Sequence, residues 1–123
     1  MAQSALMDQD QADLFEFLLR TGDNTLVLGH RVSEWCGHGP ALEEDIALSN
    51  ISLDCVGQAR LLLSLAGTRE GQGRDEDALA DLRDESAFRN YTLLELPNGH
   101  GPHDDYAITV ARGFLHAALQ VHL

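Results

Sequence analysis

The stretch LEEDIALSNISLDCVGQARLLLSLAG, residues 42–67, decides the fold. Its leucines, isoleucines, valine and alanines cover almost every direction of a helix, so the spacing predicts a helix buried on most sides over residues 42–66, with Gly67 ending it. Glu43, Glu44 and Asp45 put negative charge in the first turn, where the positive end of the helix dipole favours it. Asn50, Asp54 and Gln58 interrupt the apolar surface at four-residue steps and share one sector of the helix. A buried unpaired amide costs about 1–3 kcal/mol and an unpaired charge considerably more, so this stripe is expected to face partners.

Upstream, Leu14, Phe17, Leu18, Leu26, Leu28 and Val32 recur at steps that fit an amphipathic helix over residues 8–36. Gly22 and Gly29 weaken it by about 1 kcal/mol each relative to alanine, which suggests a bend or a close helix contact there. GHGP, residues 37–40, breaks the pattern. Downstream, residues 67–103 form a polar, turn-rich connecting segment, with a short helix expected near residues 76–83 and the remainder lying across the bundle. Helical spacing returns over residues 104–123 through Ile108, Ala111, Leu115, Ala118 and Leu119, and runs out without a cap. The chain therefore reads as a single all-α domain that is truncated. No hairpin signal and no internal repeat occurs.

The composition excludes several partners. The chain has 123 residues, 44% of them hydrophobic, which suits one domain. Twenty acidic residues against 8 basic ones give a formal charge of −12, and such a surface is repelled by nucleic acid and by anionic membranes. Cys36 and Cys55 lie in the two most helical segments and read as buried free thiols. With no signal segment and no uninterrupted apolar span, a cytoplasmic location is expected.

The polar stripe has two readings. His30 and Glu34 share a face of the first helix with Arg31 beside them, so Asp54, Glu34 and His30 could hold an ion between the helices. Carboxylate-bridged di-iron bundles, however, use Glu-x-x-His on two helices, and this chain has no such motif. The alternative is a hydrogen-bonded network of His30, Glu34, Asn50, Asp54 and Gln58 that fixes helix register, with no metal and no catalytic residue. In that reading, removing the Asp54 carboxylate lowers stability by several kcal/mol. His100 and His103 have a chelating spacing but sit in a Pro/Gly loop, while His116 and His122 read as packed or solvated. Trp35 is expected to anchor the core at the end of the first helix. No nucleophile elbow or phosphate loop appears.

From Leu14 onward the strings EWCGH, EEDIAL, LDCVGQAR, GRDED, FRN and ELPNG are long and specific. They resemble the N-terminal half of the C-subunit family of bacterial phenylacetyl-CoA 1,2-epoxidases, multicomponent ring-oxygenating enzymes. The resemblance implies a ferritin-like four-helix bundle, of which this chain is part, acting as the non-catalytic partner of a homologous A subunit. In such an enzyme the A subunit holds the di-iron centre, and a reductase with flavin and an iron–sulfur cluster brings electrons from NADPH. The polar stripe would then be the interior of a former metal pocket, refilled by hydrogen bonds. Half a bundle exposes a wide apolar face, so association with another copy or another subunit is expected. Two alternatives remain: a metal oxidase using Glu34, His30 and Asp54, and an acyl-CoA-binding module using Arg69, Arg74, Arg83 and Arg89.

Overall fold

The two glycines of the first helix set the geometry of the molecule. In the computed structural model, which describes residues 2–99 and 105–122, helix α1 (Ala2–Ser33) runs back against helix α2 (Leu42–Glu70). A Cβ on Gly22 would stand 2.8 Å from Leu63 Cδ2, and one on Gly29 would stand 3.0 Å from Cys55 Cβ. Both glycines therefore permit close approach of the helices, not a bend. The face of α2 that meets α1 is correspondingly small, with Ser52, Cys55, Ala59 and Ala66 buried between Leu48 and Leu63. Ser52 Oγ reaches across to donate to the Gly29 carbonyl at 2.9 Å.

The turn between the helices is tied from both sides. Gly37 adopts φ 84°, a left-handed conformation that glycine takes without strain. Its amide donates to Asp45 Oδ1 at 2.9 Å, so an acid of the first turn of α2 also closes the turn before it. At the other end α2 continues past Gly67 to Glu70. The left-handed cap is Gly71, at φ 74°, whose amide donates to the Gly67 carbonyl. Gly67 has a different role: a Cβ there would lie 2.1 Å from the Arg74 carbonyl oxygen, because the chain folds back over α2. Gly67→Ala is expected to lower stability by about 2 kcal/mol, read from the urea midpoint, since a backbone carbonyl must move.

The connecting segment carries helix α3 (Glu76–Asp81), a short 3-10 turn (Glu85–Ala87) and helix α4 (Thr92–Glu95). Asp75 caps α3 by accepting from the Ala78 amide at 2.9 Å. Leu79 and Leu94, both fully buried, plug this segment into two apolar clusters along the α1–α2 seam. Asp105 caps helix α5 (Tyr106–Val121) through the Ala107 amide at 2.9 Å. The described residues contain no strand, and the fold is all-α.

Helix α5 departs from the sequence reading. The face it buries is polar, Thr109, Arg112 and His116, while Val110, Phe114, Leu115 and Leu119 point outward. No helix among the described residues is long and apolar enough to cross a membrane.

Candidate functional site

Asn50, Asp54 and Gln58 are exposed, and none has a side-chain hydrogen bond within 3.5 Å among the described residues. At 100° per residue, the stripe lies about 140° around α2 from the face that meets α1. It cannot reach His30 or Glu34, so the expected five-residue network does not form within this chain. His30 is exposed and borders a shallow surface depression with Arg83 and Phe88 of the connecting segment. Glu34 is half-exposed and takes Arg31 Nη1 at 3.0 Å and Asn98 Nδ2 at 2.9 Å. The ion site built from Glu34, His30 and Asp54 fails for the same reason: the donors belong to opposite faces. Among the described residues no three of His, Cys, Asp and Glu come together around a common point. His100 and His103 lie outside the described residues.

Asp54→Asn is accordingly expected to change stability by no more than about 0.5 kcal/mol. A thermal scan showing a loss of several kcal/mol would restore the buried-network reading.

The buried polar groups lie elsewhere, in two clusters. In the first, Asp23 is fully buried in the middle of α1 and forms a bidentate ion pair with Arg83, whose side chain is also buried. Asp23 Oδ2 further accepts the Arg89 amide at 2.8 Å, and neighbouring Asn24 accepts the Tyr91 amide at 2.6 Å. The Arg83 guanidinium stacks on Phe88, 4.3 Å from the ring centroid. Two adjacent α1 residues thus pin residues 83–91 to the bundle.

The second cluster centres on Asn98, also fully buried. Its amide donates to the Arg31 carbonyl at 2.8 Å and to Glu34, and its oxygen accepts from Arg112. Arg112 donates as well to the Leu96 carbonyl at 2.6 Å. Burial, and then the neighbouring Arg31 charge, lower the pKa of Arg112. Trp35 Nε1 donates to Thr109 Oγ1 at 2.8 Å, and the indole stands edge-on to Tyr106 with centroids 5.5 Å apart. Trp35 does anchor the end of α1, through a polar contact as well as an apolar one.

Sequence reasoning missed Asp23, Asn24, Asn98 and Arg112. The available signal was the run TGDNT, residues 21–25, a polar insertion between Leu19 and Leu26 on a helix otherwise read as core. Cys36 is exposed, contrary to the expectation, with its sulfur 3.1 Å from Ser49 Oγ. Cys55 is buried, and burial, followed by the charge of Asp54, pushes its thiol above the ordinary value.

Between α1, α2 and α5 runs a half-open apolar groove of about 670 Å³. Asp54 and Gln58 lie on its α2 wall and His116 on its α5 wall, so two of the three stripe residues do face an interior, though an uncovered one. His116 is buried and its Nε2 has no hydrogen-bond partner among the described residues. Burial lowers its pKa, so the folded state takes up the proton less readily than the unfolded state. Stability should therefore fall as the pH drops below about 6.5, the unperturbed histidine value. Urea midpoints measured from pH 7.5 down to 5.5 should slope downward in the parent and flatten in His116→Gln.

The family model described as "Phenylacetic acid catabolic protein" matches residues 1–123. The chain is 51% identical over 110 residues to the C subunit of the 1,2-phenylacetyl-CoA epoxidase of Escherichia coli (strain K12). That match covers 89% of this chain and 42% of the relative, so the chain spans less than half the length of the protein it resembles.

Proposed function

Since the chain belongs to the phenylacetic acid catabolic protein family, we propose that it is a non-catalytic, scaffolding component of a phenylacetyl-CoA 1,2-epoxidase in aerobic phenylacetate degradation. The observation that carries this reading is the 51% identity to an epoxidase C subunit across 89% of the chain. The geometry agrees with it. Buried Asp23 is neutralised by Arg83, and Arg112 is held by Asn98 and a backbone carbonyl with its Nε unpartnered among the described residues, an arrangement that serves to hold shape. The ring epoxidation would take place on the di-iron centre of a homologous A subunit, supplied with electrons from NADPH through a reductase carrying flavin and an iron–sulfur cluster. The assembly would work in the cytoplasm.

The two enzyme or ligand alternatives lose their sites. Glu34, His30 and Asp54 do not converge on a common point. Of the four arginines considered for coenzyme A, Arg74 is paired with Glu70, Arg83 with Asp23, and Arg89 with Glu16 at 3.5 Å, so they do not form a basic cleft for phosphates.

The test is co-expression with the A subunit of a phenylacetyl-CoA epoxidase, followed by affinity purification and metal analysis. Co-elution in fixed stoichiometry, with iron tracking the A subunit, is the expected result. Failure to co-elute, or stoichiometric iron in this chain purified alone under anaerobic conditions, would refute the assignment.

A further inference from the structure

Of the four asparagines in the chain, Asn98 alone is followed by glycine. That pair is the sequence at which a thermolabile asparagine amide is lost most readily, because glycine has no Cβ to hinder its own nitrogen and lets the backbone bend. The Gly99 nitrogen attacks Asn98 Cγ, gives up its proton and closes a cyclic succinimide, while the side-chain nitrogen departs as ammonia. Water then opens the ring at one carbonyl or the other. Opening at Cγ gives aspartate, and opening at the former main-chain carbonyl gives isoaspartate, whose backbone runs through the side chain. One water is consumed, one ammonia is released, and nothing is oxidised or reduced.

The fold holds the reacting residue from both sides. Asn98 is fully buried, and the nitrogen that would leave donates to the Arg31 carbonyl at 2.8 Å and to Glu34 at 2.9 Å. The side-chain oxygen accepts from Arg112. The main-chain carbonyl accepts the Asp105 amide at 3.0 Å and the Thr109 hydroxyl at 3.2 Å, at the start of α5. Ammonia can leave and water can enter only in molecules where this segment has opened. The product does not fit back. Arg31 and Glu34 present acceptors, and an aspartate at this position has nothing to donate, so two attractions turn to repulsion against one ion pair gained with Arg112. In isoaspartate the extra main-chain carbon also displaces the carbonyl that holds Asp105 and Thr109.

We propose that Asn98 is a latent deamidation site: docking of α5 protects it, opening of α5 together with residues 94–98 exposes it, and its conversion prevents α5 from docking again. Each opening thus carries a chance of becoming permanent. The inference stands on Asn98 and its neighbours alone, so it fails separately from the epoxidase assignment.

The whole 123-residue chain is incubated at one mildly alkaline pH, folded or in concentrated urea, and then cut after arginine, which releases residues 90–112 as one peptide. Mass spectrometry follows the amides of Asn98 and Asn90 within it. In urea Asn98 should convert faster than Asn90, which precedes tyrosine. In the folded chain Asn98 should convert at least about tenfold more slowly than in urea. Arg112→Met removes one partner of the amide and should speed conversion in the folded chain about threefold or more, the worth of a modest hydrogen bond. If that variant loses helical circular dichroism, Trp35→Phe, which removes the bond to Thr109, takes its place with the same expected direction. Asn98→Asp should quicken hydrogen exchange in α5 about tenfold more than in the α1–α2 pair. Equal conversion of Asn98 in folded and unfolded chains, conversion in urea no faster than that of Asn90, or a rate untouched by both variants would overturn the proposal. So would α5 amides in Asn98→Asp as protected as in the parent.

Discussion

Asp23→Ala is expected to lower the stability of the chain by about 3–5 kcal/mol, the usual loss when one member of a buried ion pair is removed. The reason is what remains. Arg83 keeps its charge in a site from which water is excluded, with the Ala87 carbonyl at 3.1 Å and the Phe88 ring in place of its counter-ion. The Arg89 amide also loses its acceptor. A domain of this size should melt on the order of 15 °C lower. Asp23→Asn keeps the volume and one acceptor, so its loss should be smaller, and the double change Asp23→Ala with Arg83→Met should recover part of it. A melting temperature for Asp23→Ala equal to the parent's would show that the pair is not buried.

Asn98→Ala should follow closely, at about 3 kcal/mol. One side chain there serves three groups: the Arg31 carbonyl, the Glu34 carboxylate and the Arg112 guanidinium. Truncation leaves each with one partner fewer; the half-exposed Glu34 can turn to water, but the buried Arg112 cannot, and a buried group so stranded loses about 1–3 kcal/mol. The effect should be regional as well as global. Hydrogen exchange should quicken first in α5 and in residues 94–98, which this amide holds together, and later in the α1–α2 pair. Uniform acceleration across all helices would count against that local role.

The helical class was legible because Leu18, Leu26, Leu28 and Val32 repeat with helical spacing, and because Glu43–Asp45 mark the start of α2. The direction in which α2 faces was not. A helix apolar nearly all round has no unique inward side, and the contact with α1 was settled by small residues, Ser52 and Cys55 against Gly29, not by the large ones. Gly22 and Gly29, seven residues apart, were the clue, and the close approach they permit turned Asp54 away from the seam. The buried polar clusters were hidden for another reason. Asp23 and Asn98 find their partners 60 and 14 residues away in sequence, and no local spacing reveals such a pairing. Gly67 was misread as a terminator because the return of residues 71–75 over α2 leaves no trace in helix periodicity.

The inverted packing of α5 bears on how the molecule breathes. A segment attached through Thr109, Arg112 and Asn98 is fixed in orientation by directional bonds, and lifting it away uncovers the Trp35 indole together with these polar groups. Such an excursion should depend less steeply on urea than separation of the long helices, which exposes leucines along the whole seam. What holds α5 in place is thus mainly directional, a few hydrogen bonds for which water competes, with the Trp35–Tyr106 contact beside them.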